Sequence, residues 1–274
     1  MRGSDERYMR QKTIGHITFT TYRGPLLPAV VKEIVEVRGH SVETETRLYP
    51  SNTPEILINL ARPICGKTGS ITGTIRTCTI QGSKTSLVRA WHPKYCHFIS
   101  VRFAANGCFK VLGIPQEKFT GSLIDFEDVV PGHVKDVIPE LRQAPDARRR
   151  FRIVCNWLRT ELGDATVRRD LLSDYIIARF ENNPYMSVKE LVAETGFTRK
   201  HLGQRFKEEA GLSLKTFQKV ERLQSILKTI RKRRVHCWAE LACDNRYYDQ
   251  SHFIKDFKQF TGSTPGAFIQ NLPQ

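Results

Sequence analysis

The chain has 274 residues, 40% hydrophobic and 9% aromatic, which is enough for packed cores and too long for one typical domain. It contains no apolar run of the eighteen or so residues that a membrane helix needs, and its opening, MRGSDERYMR, lacks the apolar core of a secretory signal, so a cytoplasmic protein without a membrane span is expected. Forty-three Lys and Arg against 28 Asp and Glu give a net charge of +15, which favours an anionic partner, nucleic acid being the commonest.

The basic excess is spread along the chain. Residues 174–274 hold 17 Lys and Arg against 11 Asp and Glu, a net of +6, and residues 1–173 hold 26 against 17, a net of +9. Charge alone therefore does not say which half binds. Seven Cys at irregular spacings, with no CxxC pair, suit buried small hydrophobes in a reducing compartment.

Up to about residue 110 the chain reads as strands. ITFTTY, VVKEIVEV (30–37), SVETETRLY (41–49), EILINL (55–60), ITGTIRTCTI (71–80) and HFISVRF (97–103) are short and rich in Ile, Val, Thr, Phe and Tyr. Several alternate apolar and polar residues, and Gly, Pro, Asn and Ser punctuate them, so an antiparallel sheet or small barrel is expected. In HPKYCH (92–97), His92, Cys96 and His97 are metal-ligand types. Adjacent strand residues point to opposite faces, however, so a strand entering a core is the expectation and no metal site is assigned. Short helices are expected over 105–112 and 134–142, and Glu127-Asp128 reads as a loop acid or helix cap.

From about residue 146 the period changes. DARRRFRIVCNWLRTEL places Phe151, Val154, Leu158 and Leu162 at helical spacing, with the Arg run 148–150 expected on its solvated face. RRDLLSDYIIARFENNP does likewise with Leu172, Ile176, Ile177 and Phe180, until Asn182-Asn183-Pro184 stops the helix. The domains are set at 1–165 and 166–274.

The second domain repeats itself: TRKHLGQRFKEEAGLSLKTF (198–217) is echoed by DQSHFIKDFKQFTGSTPGAF (249–268). In the first unit, Ser187 with Glu190 forms a capping-box pattern, Val188, Leu191 and Val192 a stripe, Gly196 a turn and Thr198 a cap. Leu202 and Phe206 then face inward, leaving Arg199, Lys200, Gly203, Gln204 and Lys207 outward. In the second unit Trp238, Leu241 and Ala242 make the stripe, Asp249 caps, Phe253 and Phe257 face inward, and Gln250, Ser251, Ile254, Lys255 and Lys258 face outward. Arg246 stands where the first unit has Gly196, so a non-Gly residue must make that turn, with Asn245 beside it. Between the units, 213–232 carries Phe217, Val220, Leu223, Ile226, Leu227 and Ile230 at helical spacing. Twenty residues of helix span roughly 30 Å, close to the ~34 Å of one DNA turn, so two helices on this rod match successive major grooves.

At these residues the chain resembles the AraC/XylS family of bacterial transcription regulators. Over 180–270 the resemblance rests on Asp249-Gln250-Ser251-His252-Phe253, Phe257-Lys258, Gly262 and Thr264-Pro265. It also rests on Leu191, Gly196-Phe197, His201-Leu202, Phe206-Lys207, Gly211 and Arg222-Leu223. It implies base contacts from Lys200, Gln204, Gln250, Ser251 and Lys255. Arg199, Arg205, Lys207, Arg231, Arg233, Arg246 and Lys258 are the expected phosphate contacts. A fainter likeness joins LYPSNTPEILINL (48–60) and 98–129 to an N-terminal domain found on some members.

The expectation is therefore an α+β chain: a β-rich sensor or dimerisation domain, then an all-α domain of two helix-turn-helix units joined by a long helix. Its partner is double-stranded DNA. A small-molecule effector, a second copy of the chain and RNA polymerase are the further partners such a regulator would meet, and no cofactor is assigned. The alternative is a non-specific architectural nucleic-acid-binding protein. A third class, a DNA-modifying enzyme, is set aside because no Ser-His-Asp, P-loop or HExxH pattern occurs. In addition Cys65, Cys78, Cys96 and Cys108, each more than ten residues from the next, are too dispersed for the cysteine-bound zinc of the alkyl-transfer repair relatives.

Overall fold

The computed structural model describes residues 6–25, 27, 30–41, 45–68, 71–131, 134, 136–162, 171–232 and 237–270. The first half is made of β1 (Met9–Ile14), β2 (His16–Tyr22), β3 (Val31–His40), β4 (Glu45–Leu48), β5 (Glu55–Asn59), β6 (Ile64–Thr68), β7 (Ile71–Ile75), β8 (Cys78–Gln81), β9 (Val88–Trp91), β10 (Tyr95–Phe103) and β11 (Leu123–Asp125). A seven-stranded sheet runs β1-β2-β3-β10-β5-β8-β11 and a four-stranded one β4-β9-β6-β7. Their pairings are antiparallel, as the alternating strands imply. Four helices accompany them: α1 (Gly107–Leu112), α2 (Phe126–Val129), α3 (Val137–Gln143) and α4 (Ala147–Leu162).

The period-two pleat divides the large sheet between two environments. Ile34, Ile56, Ile58, Ile99, Val101 and Phe103 point to one face and pack against Phe151, Val154 and Leu158 of α4. Val35, Val37, Leu57, Cys96 and Phe98 point to the other, which faces a cavity. His97 is bonded to Glu36, Cys96 packs with Val35 and Val37, and His92 meets Thr46. The three ligand types of HPKYCH therefore do not converge, in keeping with the strand reading.

The Arg run at the start of α4 departs from its expectation. Arg149 is exposed and pairs with Glu140 at 3.3 Å, but Arg150 is only 4% exposed. Its Nε donates to Glu36 Oε1 at 2.7 Å and its Nη1 to the Ala144 carbonyl at 2.6 Å. The same Glu36 oxygen lies 2.6 Å from His97 Nε2. Burial pushes the Glu36 carboxyl up, but the His97 hydrogen bond and the Arg150 charge outweigh it and hold the group below the usual carboxylate range. Its contribution to stability is therefore complete above that range and is lost as pH falls through the lowered value.

The second half contains α5 (Leu172–Asn182), α6 (Val188–Thr195), α7 (Arg199–Ala210), α8 (Leu214–Lys232), α9 (Trp238–Asp244), α10 (Gln250–Thr261) and α11 (Pro265–Gln270). Two cores form on α8. Leu214 and Phe217 join Ile176, Phe180, Leu191, Leu202 and Phe206 in one. Leu223, Ile226, Leu227 and Ile230 join Leu241, Phe253, Phe257 and Phe268 in the other. The expected α+β class is what is seen. The expected border at 165/166 lies outside the described residues. Among the described residues no helix is long and apolar enough to cross a membrane.

The halves are joined by polar groups that bridge them. Gln116 is fully buried, and its Nε2 donates to the carbonyls of Ala105 at 2.5 Å and Ala210 at 2.9 Å. Thr120 donates to the Gly211 carbonyl at 2.9 Å, and Lys207 pairs with Glu117 at 2.7 Å. Asn52, also buried, donates to the Phe217 carbonyl and to Glu221, both at 2.9 Å.

Two outcomes follow. Gln116→Ala leaves two buried carbonyls without their donor, and urea denaturation should register a loss of about 2–4 kcal/mol. Glu36→Gln should cost about 3 kcal/mol or more at pH 7, because Arg150 loses its counter-charge, and the deficit against wild type should shrink below about pH 4.

Candidate nucleic-acid interface

Both repeat units take the conformation that their local sequence dictates. Ser187 Oγ accepts from Glu190 N, and the Glu190 carboxylate accepts from Ser187 N, which closes the capping box at the start of α6. Gly196 ends α6 in the left-handed region at φ 69°, and Thr198 caps α7 by accepting from His201 N at 3.2 Å. Leu202 and Phe206 are fully buried, while Arg199, Lys200 and Gln204 stay exposed on the opposite face. Asp249 caps α10 by accepting from His252 N at 2.7 Å. Phe253 and Phe257 are buried, and Gln250, Ser251, Lys255 and Lys258 are exposed. Ile254, expected outward, is instead half-buried against the second core.

Arg246 does occupy the left-handed turn, at φ 54°, and among the described residues it alone does so without being Gly. A β-carbon there costs about 1–2 kcal/mol. Its neighbours supply the compensation. Asn245 Nδ2 donates to the Leu241 carbonyl at 2.7 Å, and Tyr185 Oη donates to Asn245 Oδ1 at 2.5 Å. The Arg246 guanidinium lies 5.1 Å from the centre of the Tyr185 ring and that of Arg222 lies 4.8 Å from it. Arg246→Gly should therefore shift the unfolding free energy by no more than about 1 kcal/mol in a urea titration. Strain relief is offset by the lost ring contact and by a freer unfolded chain.

The residues expected at phosphate divide into groups. Arg199, Arg246 and Lys258 are exposed beside the capped helix starts or along the outer faces. Arg205 is held by Glu208 at 3.5 Å and by buried Glu209 at 3.1 Å, and Lys207 by Glu117. These two already have intramolecular partners. Arg231 lines the cavity between the sheets, and Arg233 lies outside the described residues. Tyr248, 94% exposed immediately before the α10 cap, is an aromatic at the same surface that sequence reasoning passed over.

The cavity has a volume of about 620 Å³. Val35, Val37, Leu57 and Phe98 from one sheet and Ile64 and Ile75 from the other give it apolar walls, and Gln224 and Arg231 of α8 reach its edge. Most cations at its rim are neutralised: Lys84 pairs with Glu55 at 2.6 Å, Arg102 with Glu33 at 2.7 Å and Lys32 with Glu181 at 3.2 Å. Among the described residues Arg231 has no ion-pair partner. Of the four cysteines weighed for zinc, Cys65 lies in β6 of the smaller sheet, Cys96 packs with Val35 and Val37, and Cys78 and Cys108 belong to the core under the large sheet. Burial pushes the thiols of Cys78, Cys96 and Cys108 up, away from the reactive thiolate form.

Residues 191–271 match the family model described as a helix-turn-helix domain. No curated protein matches the chain. Among solved structures, the chain is similar to unsaturated fatty acid bound wild-type ToxT from Vibrio cholerae, at 10% identity over 96% of this chain and 98% of that one, with a TM-score of 0.48. It is also similar to a DNA-binding transcriptional dual regulator from Escherichia coli K-12, at 19% identity over 38% of this chain and 100% of the other, with a TM-score of 0.33. The C-terminal domain of AraT, a response regulator from Geobacillus stearothermophilus, aligns at 18% identity over 37% of this chain and 83% of its own, with a TM-score of 0.33. With two capped helices on one connecting helix and the family match laid over them, residues 191–271 are a helix-turn-helix domain of the AraC/XylS type, the DNA-binding module of transcription regulators.

Proposed function

We propose that this protein is a sequence-specific transcription regulator whose α7 and α10 enter successive major grooves on one side of duplex DNA. The observation that carries this reading is the pair of capped helices at the two ends of α8. Each is anchored by two fully buried side chains and exposes polar residues along its N-terminal half. The nineteen residues of α8 span about 28 Å, near the pitch of B-DNA. Lys200 and Gln204 on α7, and Gln250, Ser251 and Lys255 on α10, are the base readers in this reading. Lys and Gln suit it because they meet guanine and adenine edges in the major groove. Arg199, Arg246 and Lys258 grip phosphate. Arg205 and Lys207 can join them only by giving up their present carboxylates.

The β-rich half acts as the regulator of this grip. A small molecule with an apolar body would fill the cavity between the sheets, and its exposed end would meet α8 at Gln224 and Arg231. Binding there couples to DNA affinity to the extent that the two states of the seam hold the ligand differently.

Selection from random duplex DNA with the full chain at near-physiological salt tests the reading. The expected product is two short blocks about one helical turn apart. Lys200→Ala with Gln204→Ala should erase one block and Lys255→Ala should weaken the other, each reader losing about 1–3 kcal/mol of discrimination. Strong binding without a motif, falling steeply with salt, would instead identify a non-specific architectural protein.

A further inference from the structure

A second cleft lies on the opposite face of the large sheet from the effector cavity. It has a volume of about 1000 Å³ and is bounded by the ends of β3 and β10, the turn after β5, and the junction of α3 and α4. Its lining is strongly basic: Arg38, Arg62, Lys94 and Arg142 stand around it, with buried Arg150 and His97 at its floor. Among the described residues no carboxylate lines it. Glu36 matches Arg150 from beneath, so the uncompensated charge belongs to the other four. None of those four has an ion-pair partner among the described residues. The Arg38 guanidinium is oriented by donating from Nε to the Tyr95 hydroxyl at 3.2 Å, and among the described residues its terminal nitrogens have no acceptor.

Four like charges gathered from four separate chain segments repel one another, and no carboxylate among the described residues lining the cleft offsets them. Three of the four are Arg, whose planar fork holds tetrahedral and planar oxyanions through paired hydrogen bonds. The concave shape suits a small molecule rather than a duplex, which presents its phosphates on a convex surface. The position agrees. Tyr95 opens β10 at the cleft, whereas Phe103 closes it eight residues or roughly 27 Å away, just before Ala105, which packs into the first helical core with Leu202 and Phe206. The cleft is therefore remote from the reading helices.

We propose that this cleft is a binding site for a small, multiply phosphorylated metabolite, with Arg38, Arg62, Lys94 and Arg142 contacting its phosphate groups. The site does not depend on the effector cavity or on the assignment of base readers.

The test is calorimetric titration of the full-length protein with sodium tripolyphosphate, with citrate at matched ionic strength as the comparison. Wild type should bind tripolyphosphate saturably at one site and citrate more weakly. The double variant Arg38→Ala/Arg142→Ala, which alters only exposed side chains, should bind tripolyphosphate at least tenfold more weakly. Lys200→Ala/Lys255→Ala should bind it as wild type does. No saturable binding by wild type would overturn the proposal, as would undiminished binding by the cleft variant or a loss confined to the reader variant. Citrate binding equal to that of tripolyphosphate would overturn the phosphate assignment. A circular dichroism melt of each variant, unchanged from wild type, separates a lost site from a lost fold.

Discussion

Helix α8 is the constraint on which the geometry of the second half rests. Its apolar residues recur at helical spacing along one continuous rod, with Leu214 and Phe217 entering the first core and Leu223 through Ile230 entering the second. Because the two cores grow from one helix, the angle between α7 and α10 is set by the pitch of α8 and not by a flexible linker. The aromatic packing is tight at both ends. Phe206 meets Phe217 edge-on with ring centres 5.1 Å apart, and Phe257 meets Phe268 in the same way at 5.4 Å. Neither α7 nor α10 can rotate without opening a core or bending α8.

The β-rich half touches that assembly along its whole length. Gln116 and Thr120 hold the C-terminal end of α7, Asn52 holds the middle of α8, and Tyr49 packs edge-on against Phe268 of α11 at 5.1 Å. Gln224 of α8 donates in return to the Pro50 carbonyl. A body that grips both units and the rod between them controls their relative pose with small movements. Most of the grip consists of buried hydrogen bonds, which are directional and all-or-none in a way that apolar contacts are not. The arrangement suits a switch between two poses better than a graded one.

What could be read from the sequence was whatever is local. Ser187, Glu190, Thr198 and Asp249 declared the helix starts because a cap needs only its own next three residues. Arg246 declared its strained turn because the internal repeat supplied a Gly to compare it with. The contents of the two apolar faces followed from periodicity. The Arg run was misread for the opposite reason: Arg150 is buried by Glu36, 114 residues earlier, and nothing within one turn of α4 announces that partner. Gln116 was invisible for the same reason, since its acceptor at Ala210 is 94 residues on. The basic cleft draws Arg38, Arg62, Lys94 and Arg142 from segments that are adjacent only once the sheet has formed.

The two cavities share a wall, and the pleat of that wall keeps them distinct. Along β10, Cys96 and Phe98 face the cavity between the sheets, while Tyr95 and His97 face the basic cleft. No single side chain on this strand serves both, so ligands at the two places interact only through the strand itself and through what lies upon it. On the cleft side that is α4, tied to β3 through Arg150 and Glu36. An anion in the cleft would add negative potential beside Arg150, which ties α4 to β3 by donating to Glu36. On the cavity side it is α8, reached directly at Gln224 and Arg231. A ligand there would act on the rod that carries α7 and α10, whereas one in the cleft would act on the sheet that grips the rod. The first path is short and the second runs the length of β10 to the Asn106 contacts with Ser173 and Asp174, both at 2.8 Å. In the proposed regulator the stronger coupling to DNA therefore belongs to the cavity, and a ligand in the cleft would adjust it.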